Sequence, residues 1–480
     1  MLTGTACDDH LSTSAYIAAI LRFEVALARV QASAGFIPAD GAAAIEAAAQ
    51  DFEADAKAVA TKGRAAGTPI VELLDQFGAR LEQRMPGARA FLHSGATSQD
   101  ALDTATALCL KPCVNQALMA LQQAQVAAFD LARQHASSPM LARTLMQAAG
   151  IITFGFKAAH WGAALARCER RLRDAADEGL CVQLAGPVGS GLAFGGRWLE
   201  LRSALGRELD LKPPAVGTSH AARDGSVNLL VQLGLATGSA TKIAGDIALM
   251  SQSEVGEAHE PSAEGGVSSA MPHKQNPVFC MRIRGCGHVV QGLTASLLST
   301  MAVEHERGLG TWQAELALAP ALVTYAVGAL ESLSSLLQGL GFDADRAQQN
   351  IEAMHGLVFA DQVVSELATV IPKTVAWKVV EDACRQVRES GGHLREAVAR
   401  ASAPHDAQLR SAQRSLETIL AAAFDLQEAI EAAAHETRHV LDEMSGAPAG
   451  PRGTSERGVS RSSGGGARRV LRKAGRRRPT

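Results

Sequence analysis

No proline interrupts the chain between Pro214 and Pro261, and Leu229, Leu233, Ala236, Ala240, Ile243, Ile247 and Met250 recur there at alternating spacings of four and three. This spacing lays the apolar groups along one stripe of a helix. The small residues in the seam let a neighbouring helix come close. Two more proline-free stretches, Pro139 to Pro187 and Pro277 to Pro320, leave room for further long helices. The expectation is an all-α chain built round a bundle of long helices. Composition agrees: 47% of residues are hydrophobic but only 4% aromatic, and alanine, the best helix former, is abundant. A chain of 480 residues is long enough for two or three domains with a large core.

Ahead of the bundle, Ile17, Ile20, Leu21, Leu27 and Val30 mark a helical stretch from Thr13 to Gly35, with Gly35 as its stop. Pro38 and Asp40 open an alanine-rich helix, and Gly67-Thr68-Pro69 starts another segment. Gly186 to Gly196 is glycine-rich. It has no Gly-x-Gly-x-x-Gly register and no following Gly-Lys-Ser/Thr, so it reads as a flexible turn between helices rather than a nucleotide loop.

Several function classes fall away. No uninterrupted apolar run approaches the ~20 residues that span a bilayer. Asp8, Asp9 and His10 stand where a signal peptide would be basic and then apolar. A cytoplasmic protein without membrane contact is expected. The cysteines are scattered with no Cys-x-x-Cys pair and no zinc spacing, and they read as reduced core thiols. His305 sits between Glu304 and Glu306. The two glutamates are expected on different helix faces, with no second histidine at metal spacing, so neither metal nor cofactor is expected.

The net charge of −3 hides an uneven distribution. Residues 445–480 hold ten basic residues and one acid; setting them aside leaves 36 basic and 48 acidic residues. This Gly-, Ser-, Pro- and Arg-rich tail is too poor in apolar residues to fold and is read as disordered. Contact with nucleic acid or an anionic surface is the rival reading of the tail.

Two stretches carry chemistry. Gly265 to Pro277 reads Gly-Gly-Val-Ser-Ser-Ala-Met-Pro-His-Lys-Gln-Asn-Pro. Its glycines and prolines predict a shaped loop. Ser268, Ser269, Lys274 and Asn276 then offer hydroxyl, ammonium and amide groups to one anion. His93-Ser94-Gly95-Ala96-Thr97-Ser98-Gln99-Asp100 precedes an apolar helical run from Ala101. Thr97 and Ser98 can bring hydroxyls and backbone N–H groups to an anion at that helix start. Ordinary capping by Ser98 or Asp100 is the plainer alternative.

From Ser268 to Pro277 the loop resembles the signature of the fumarase/aspartase superfamily, Gly-Ser-Ser-x-Met-Pro-x-Lys-x-Asn-Pro, with Val267 in place of the leading glycine. The block from Gly95 through Asp103 and Thr104 resembles that superfamily's Gly-Ala-Thr-Ser-Gln-Asp-x-x-Asp-Thr. Thr144 and Gln147, followed by Thr153-Phe154-Gly155, resemble its Thr-x-x-Gln and Thr-x-Gly blocks. Many relatives place a histidine after that threonine, where this chain has Leu145; Leu145 and Met146 are expected to be packing residues. His220-Ala221-Ala222-Arg223-Asp224, Gly310-Thr311-Trp312-Gln313-Ala314-Glu315 and Asn350 to Val358 look most like bacterial 3-carboxy-cis,cis-muconate cycloisomerases. Against those enzymes the chain departs at Ser219, where they carry tryptophan, and at Gln275, where they usually carry arginine.

The resemblance implies three helical domains, 1–105, 106–350 and 351–444, and a homotetramer assembled through the central bundle. It implies an intramolecular lyase of aromatic-compound catabolism that closes 3-carboxy-cis,cis-muconate to a lactone through an aci-carboxylate carbanion. Ser268 would transfer the proton and Lys274 would stabilise its alkoxide. Thr97, Ser98, Thr144, Gln147, Ser269 and Asn276 would bind the tricarboxylate. His220 and Arg223, three apart and so on one side of a helix turn, would contact substrate or support the loop. An adenylosuccinate-type lyase and a non-catalytic helical scaffold are the rival readings.

Overall fold

The computed structural model describes residues 4–5, 7–261, 271, 273–405, 408 and 414–445. Its centre is a bundle of five long helices, Ser98–Gln134, Phe154–Gly179, Asp224–Met250, Val278–Ser299 and Thr311–Gln338. Every residue of the expected seam, Leu229 to Met250, is at most 4% exposed. The seam faces Leu121, Leu165, Leu172, Ile283, Leu322 and Leu330 in one shared core. Burying a large aliphatic side chain stabilises by roughly 1.5–3 kcal/mol, so the stripe of small and branched groups holds the bundle together. Thr153 caps the second of these helices, accepting a hydrogen bond from the Phe156 N–H. Gly155 lets that helix start lie against the one before it: a Cβ there would meet the Ala136 Cα at 2.6 Å.

The proline-free gaps located three of the five helices. The other two carry an interior proline, Pro112 in Ser98–Gln134 and Pro320 in Thr311–Gln338. An interior proline costs about 3 kcal/mol. Packing on both sides of each site offsets it, through buried Leu108, Cys109, Cys113 and Val114 in the first helix and Ala319, Leu322 and Val323 in the second. Thr311–Gln338 is long and apolar enough to cross a membrane by length and composition. Its apolar groups lie in the bundle core instead.

Smaller cores flank the bundle. Thr13–Ser33, Ala39–Ala49 and Ile70–Arg84 pack at the N-terminal side round Phe23, Leu27, Leu73 and Phe77. A C-terminal core gathers Val363, Leu367, Val380, Leu394 and Ile419. The expected boundary at 105/106 falls inside the helix Ser98–Gln134, whose start (Ala101, Leu102, Ala105) packs with the N-terminal core and whose remainder, from Leu110, packs in the bundle. The last helix, Leu426–Ser445, returns to the bundle, where Val440 and Leu441 pack. Among the described residues there is no disulfide; Cys384 is half-buried and the other cysteines are buried. The tail beyond Ser445, with its expected disorder, lies outside the described residues.

One element overturns an expectation. Residues Pro139–Thr144 and Gln147–Thr153 form an antiparallel hairpin with Thr144 opposite Gln147. Leu145 and Met146 make its two-residue turn, with φ of 50° and 66°. They are not packing residues: Leu145 is 97% exposed and Met146 72%. A two-residue turn that matches strand twist needs positive φ at both positions, which favours Asn-Gly. Leu-Met there costs roughly 1–2 kcal/mol per residue, and such strain collects where function needs a fixed shape. Replacing the pair by Asn-Gly (L145N/M146G) should raise the apparent melting temperature in a thermal scan. An unchanged or lower value would show that the turn holds no strain.

Candidate active site

The carboxylate of Asp100 ties three distant segments together. Its Oδ2 accepts hydrogen bonds from the Thr97 N–H at 3.0 Å and the Gly186 N–H at 2.9 Å. Its Oδ1 accepts from the Ala185 N–H at 2.9 Å and His220 Nε2 at 2.8 Å. Asp100 is fully buried and His220 is 2% exposed. Thr97, rather than Ser98 or Asp100, occupies the cap of the helix Ser98–Gln134, and Asp100 answers it from the third helical position. The glycine-rich stretch is correspondingly ordered: Gly186 adopts φ of +76° while its N–H meets Asp100. Gln99 donates to the His220 carbonyl at 2.9 Å and accepts from Arg307 at 3.0 Å, and Arg307 also reaches the Pro187 carbonyl.

A second buried cluster lies one turn further along the same helix. Arg223 donates to Asp103 at 2.6 and 3.4 Å, to Glu315 at 2.9 and 2.6 Å, and to the Ser219 carbonyl at 2.7 Å. All five N–H groups of its guanidinium are thereby engaged. Trp312 Nε1 donates to Asp103 at 2.9 Å. Burial opposes the charge on Arg223, but Asp103 and Glu315 outweigh it and raise its pKa. His220 and Arg223 are not on a helix turn, because the heptad helix begins at Asp224. Arg223 and its ion pairs are buried. Glu304 and Glu306 lie in the loop between Ser299 and Thr311 rather than on helix faces; Glu304 accepts a hydrogen bond from the Leu309 N–H. Among the described residues no group of three His, Cys, Asp or Glu side chains is placed to hold a metal.

A third network anchors the hairpin and the approach to the signature loop. Arg143, next to Thr144, donates to Glu257 at 2.9 and 2.7 Å. Asn350 donates to Glu257 and to the Val255 carbonyl, both at 2.9 Å. Glu260 then accepts from the Phe279 and Cys280 N–H groups at 3.0 and 2.8 Å. Its carboxylate thus caps the helix that follows the loop, so both ends of the loop are pinned together. Ser268 and Ser269 lie outside the described residues. Lys274 and Asn276 are exposed, just ahead of that helix.

The structure therefore brings Thr97, Ser98, His220 and Arg223 into one framework through Asp100 and Asp103. Thr144 and Gln147 stand exposed on the hairpin, and no hydrogen bond among the described residues joins them to that framework. Of the acids that organise the site, sequence reasoning quoted Asp100, Asp103 and Glu315 in their motifs without giving them a site role, and passed over Glu257 and Glu260. It also passed over Glu24, which holds His93 Nδ1 at 2.6 Å. Burial disfavours a charged His93, but the buried Glu24 carboxylate more than compensates and raises its pKa. The available signal was acidic residues inside otherwise apolar or motif segments; their partners lie too far off in sequence to be paired by spacing.

Residues 6–292 match the model of a lyase family. The chain belongs to that family, within the fumarase/aspartase superfamily that its signature loop resembles. It is 37% identical over 395 residues to the 3-carboxy-cis,cis-muconate cycloisomerase of Bradyrhizobium diazoefficiens, covering 82% of this chain and 86% of that one. To the enzyme of the same name from Pseudomonas putida it is 35% identical, covering 82% and 93%. The crystal structure of the β-carboxy-cis,cis-muconate cycloisomerase from Acinetobacter calcoaceticus matches with a TM-score of 0.82 and 30% identity, over 92% of this chain and 98% of that one.

Substituting Arg223 by methionine would leave Asp103 and Glu315 buried without their cation, at a cost of about 3–5 kcal/mol. Urea unfolding of R223M should therefore show a lower midpoint than wild type with an unchanged slope. A wild-type midpoint would mean the carboxylates find another partner.

Proposed function

We propose that this protein closes 3-carboxy-cis,cis-muconate to 4-carboxymuconolactone. The observation that carries the proposal is similarity over 82–92% of this chain to enzymes of that name in a chain that keeps Ser268, Lys274 and Asn276 in the signature loop. One carboxylate oxygen attacks the conjugated double bond of the same molecule. The new C–O bond forms as the π bond breaks, and its electron pair passes to the adjacent carbon, held as an aci-carboxylate. That carbon then takes a proton. A carboxylate becomes an ester, so each turnover consumes one proton.

Ser268 is the proposed proton-transferring group, with Lys274 stabilising its alkoxide. A serine hydroxyl is a weak acid and base, so the field of the loop must activate it. Thr97 and Ser98 receive one carboxylate at the helix start; Thr144, Gln147, Ser269 and Asn276 receive the others. Holding the trianion in a ring-closing geometry supplies much of the rate. Of the two roles open to His220 and Arg223, support fits Arg223, whose donors are all engaged. His220 keeps a buried Nδ1 that has no hydrogen-bond partner among the described residues, which favours substrate contact for it. Domain limits near residues 105, 350 and 444 and a cytoplasmic location go with this reading.

We further propose a homotetramer assembled through the bundle. Met119, Val126, Leu235, Leu249, Met281 and Leu298 are exposed on the bundle helices. Trp161, Leu235, Gly238 and Gln291 line an open groove of about 720 Å³ between three of those helices. Light scattering should give four times the 50.1 kDa chain mass, and L235E should yield smaller species. A wild-type monomer would overturn this assembly.

The ultraviolet absorbance of 3-carboxy-cis,cis-muconate should fall when protein is added, because cyclisation destroys the diene, and NMR should identify the lactone. Replacing Ser268 by alanine should cut turnover by about 10²–10⁴-fold with unchanged helical circular dichroism. Full activity in S268A would refute the role of that serine, and an unchanged diene with wild-type protein would refute the reaction.

A further inference from the structure

The helix Thr13–Ser33 buries two polar side chains, Glu24 and Gln31, each 1% exposed. They stand seven residues apart, and so on one face of the helix. Through Phe23, Leu27 and Val30 the helix packs in a core shared with Ala101, Leu102 and Ala105, at the start of the helix Ser98–Gln134. Both polar groups reach the chain that leads into that start. Glu24 Oε1 accepts from His93 Nδ1 at 2.6 Å, and Gln31 Nε2 donates to the Ser94 carbonyl at 2.7 Å. Gly95 lies so close to Phe194 that a Cβ would meet its ring at 2.7 Å. The Ala96 N–H closes a turn on the His93 carbonyl at 3.3 Å, and Asp100 holds Thr97. Each residue from His93 to Thr97 is thus fixed by its own contact. His93 is one of them although its φ of 56° disfavours any residue with a side chain.

This anchorage carries a penalty. Glu24 Oε2 and Gln31 Oε1 are buried without a hydrogen-bond partner among the described residues, and unsatisfied buried oxygens destabilise a fold. An apolar pair would fill the same space without that penalty. It would not hold the turn, and the hydrogen bonds to His93 and Ser94 are the ones these two side chains make among the described residues. We propose that Glu24 is a positioning residue for substrate binding: through His93, and with Gln31 beside it, it fixes the turn that aims Thr97 and Ser98 at a substrate carboxylate. The proposal rests on the reading of that helix start given above. Burial works against an imidazolium at His93, yet Glu24 keeps its pKa raised. The contact is therefore a charge-assisted hydrogen bond, which is stronger than a neutral one.

The test sets ligand affinity against stability in the full chain. The probe is propane-1,2,3-tricarboxylate, which has no diene to cyclise, followed by calorimetry at pH 7; stability is read from a thermal scan. E24M removes the acceptor and keeps the space filled, and His93 then loses its proton rather than strand a charge. E24M should melt no lower than wild type, yet bind the probe about tenfold more weakly, the worth of one hydrogen bond to a charged group. E24Q, which restores an acceptor of the same reach, should recover most of that affinity. S98A should weaken binding by itself, and E24M should cost less in the S98A background than in wild type, because Glu24 acts through that helix start.

Wild-type affinity in E24M would overturn the proposal. So would a loss that E24Q does not recover, or one that tracks a lower melting temperature, since either marks a merely structural role. Equal costs of E24M in the two backgrounds would place its effect elsewhere and overturn it too. No binding by the wild type at millimolar probe would leave no carboxylate site to position. The muconate assay separates the two claims: Glu24-dependent binding without cyclisation overturns the reaction and keeps the positioning role. Cyclisation with E24M unimpaired in kcat/KM overturns the positioning role alone.

Discussion

The Asp100 carboxylate sets the relative positions of everything round the helix start at Ser98. Four donors converge on it, from the cap residue Thr97, from Ala185 and Gly186 and from His220. Ala185 lies 88 residues after Thr97, and His220 a further 34 after Gly186. A buried carboxylate is tolerated only when its oxygens are satisfied, so the three segments must arrive together or the charge is stranded. His220 must donate from Nε2, because a carboxylate only accepts, and this fixes which ring nitrogen remains open.

The neighbouring ion cluster follows the same logic with more charge. Asp103, Arg223 and Glu315 come from three different parts of the chain, and Trp312 closes the group. Buried ion pairs add little net stability but penalise any arrangement that separates them. Such a cluster suits a scaffold that must hold geometry. It also removes Arg223 from the groups free to meet a ligand. The hairpin and signature loop are held differently. Glu257 holds the hairpin beside its turn through Arg143, and Glu260 caps the helix after the loop, while Thr144, Gln147, Lys274 and Asn276 are left exposed.

This division fits the chemistry of a trianionic substrate. Ring closure within one molecule asks the protein to position carboxylates and to meet one developing negative charge. Rigid acidic clusters supply the frame, and the exposed groups of the hairpin and the loop, Thr144, Gln147, Lys274 and Asn276, are the ones left accessible to a ligand. Were the frame cations themselves to bind substrate, each turnover would break a buried ion pair. Keeping the two sets apart avoids that cost.

Much of the fold was legible along the chain, because its signals are local. The heptad stripe from Leu229 to Met250 and the stop at Gly35 depend on near neighbours or on helical period. The helices through Pro112 and Pro320 were not legible, because tertiary packing outweighs the local penalty. Leu145 and Met146 were misread for a related reason: apolar side chains suggest burial, and only the hairpin register puts them at an exposed turn of positive φ. The signature loop, the Thr97-Ser98 block and membership of the superfamily followed from order alone, since motif spacing is a property of sequence. Which acid meets which base did not. Asp100 with His220, Asp103 with Arg223 and Glu315, and Arg143 with Glu257 are pairings across long loops, and charge carries no sequence-local mark of its partner. Only the folded bundle decides which cations are neutralised, as Arg223 is by Asp103 and Glu315, and which, like Lys274, stand exposed.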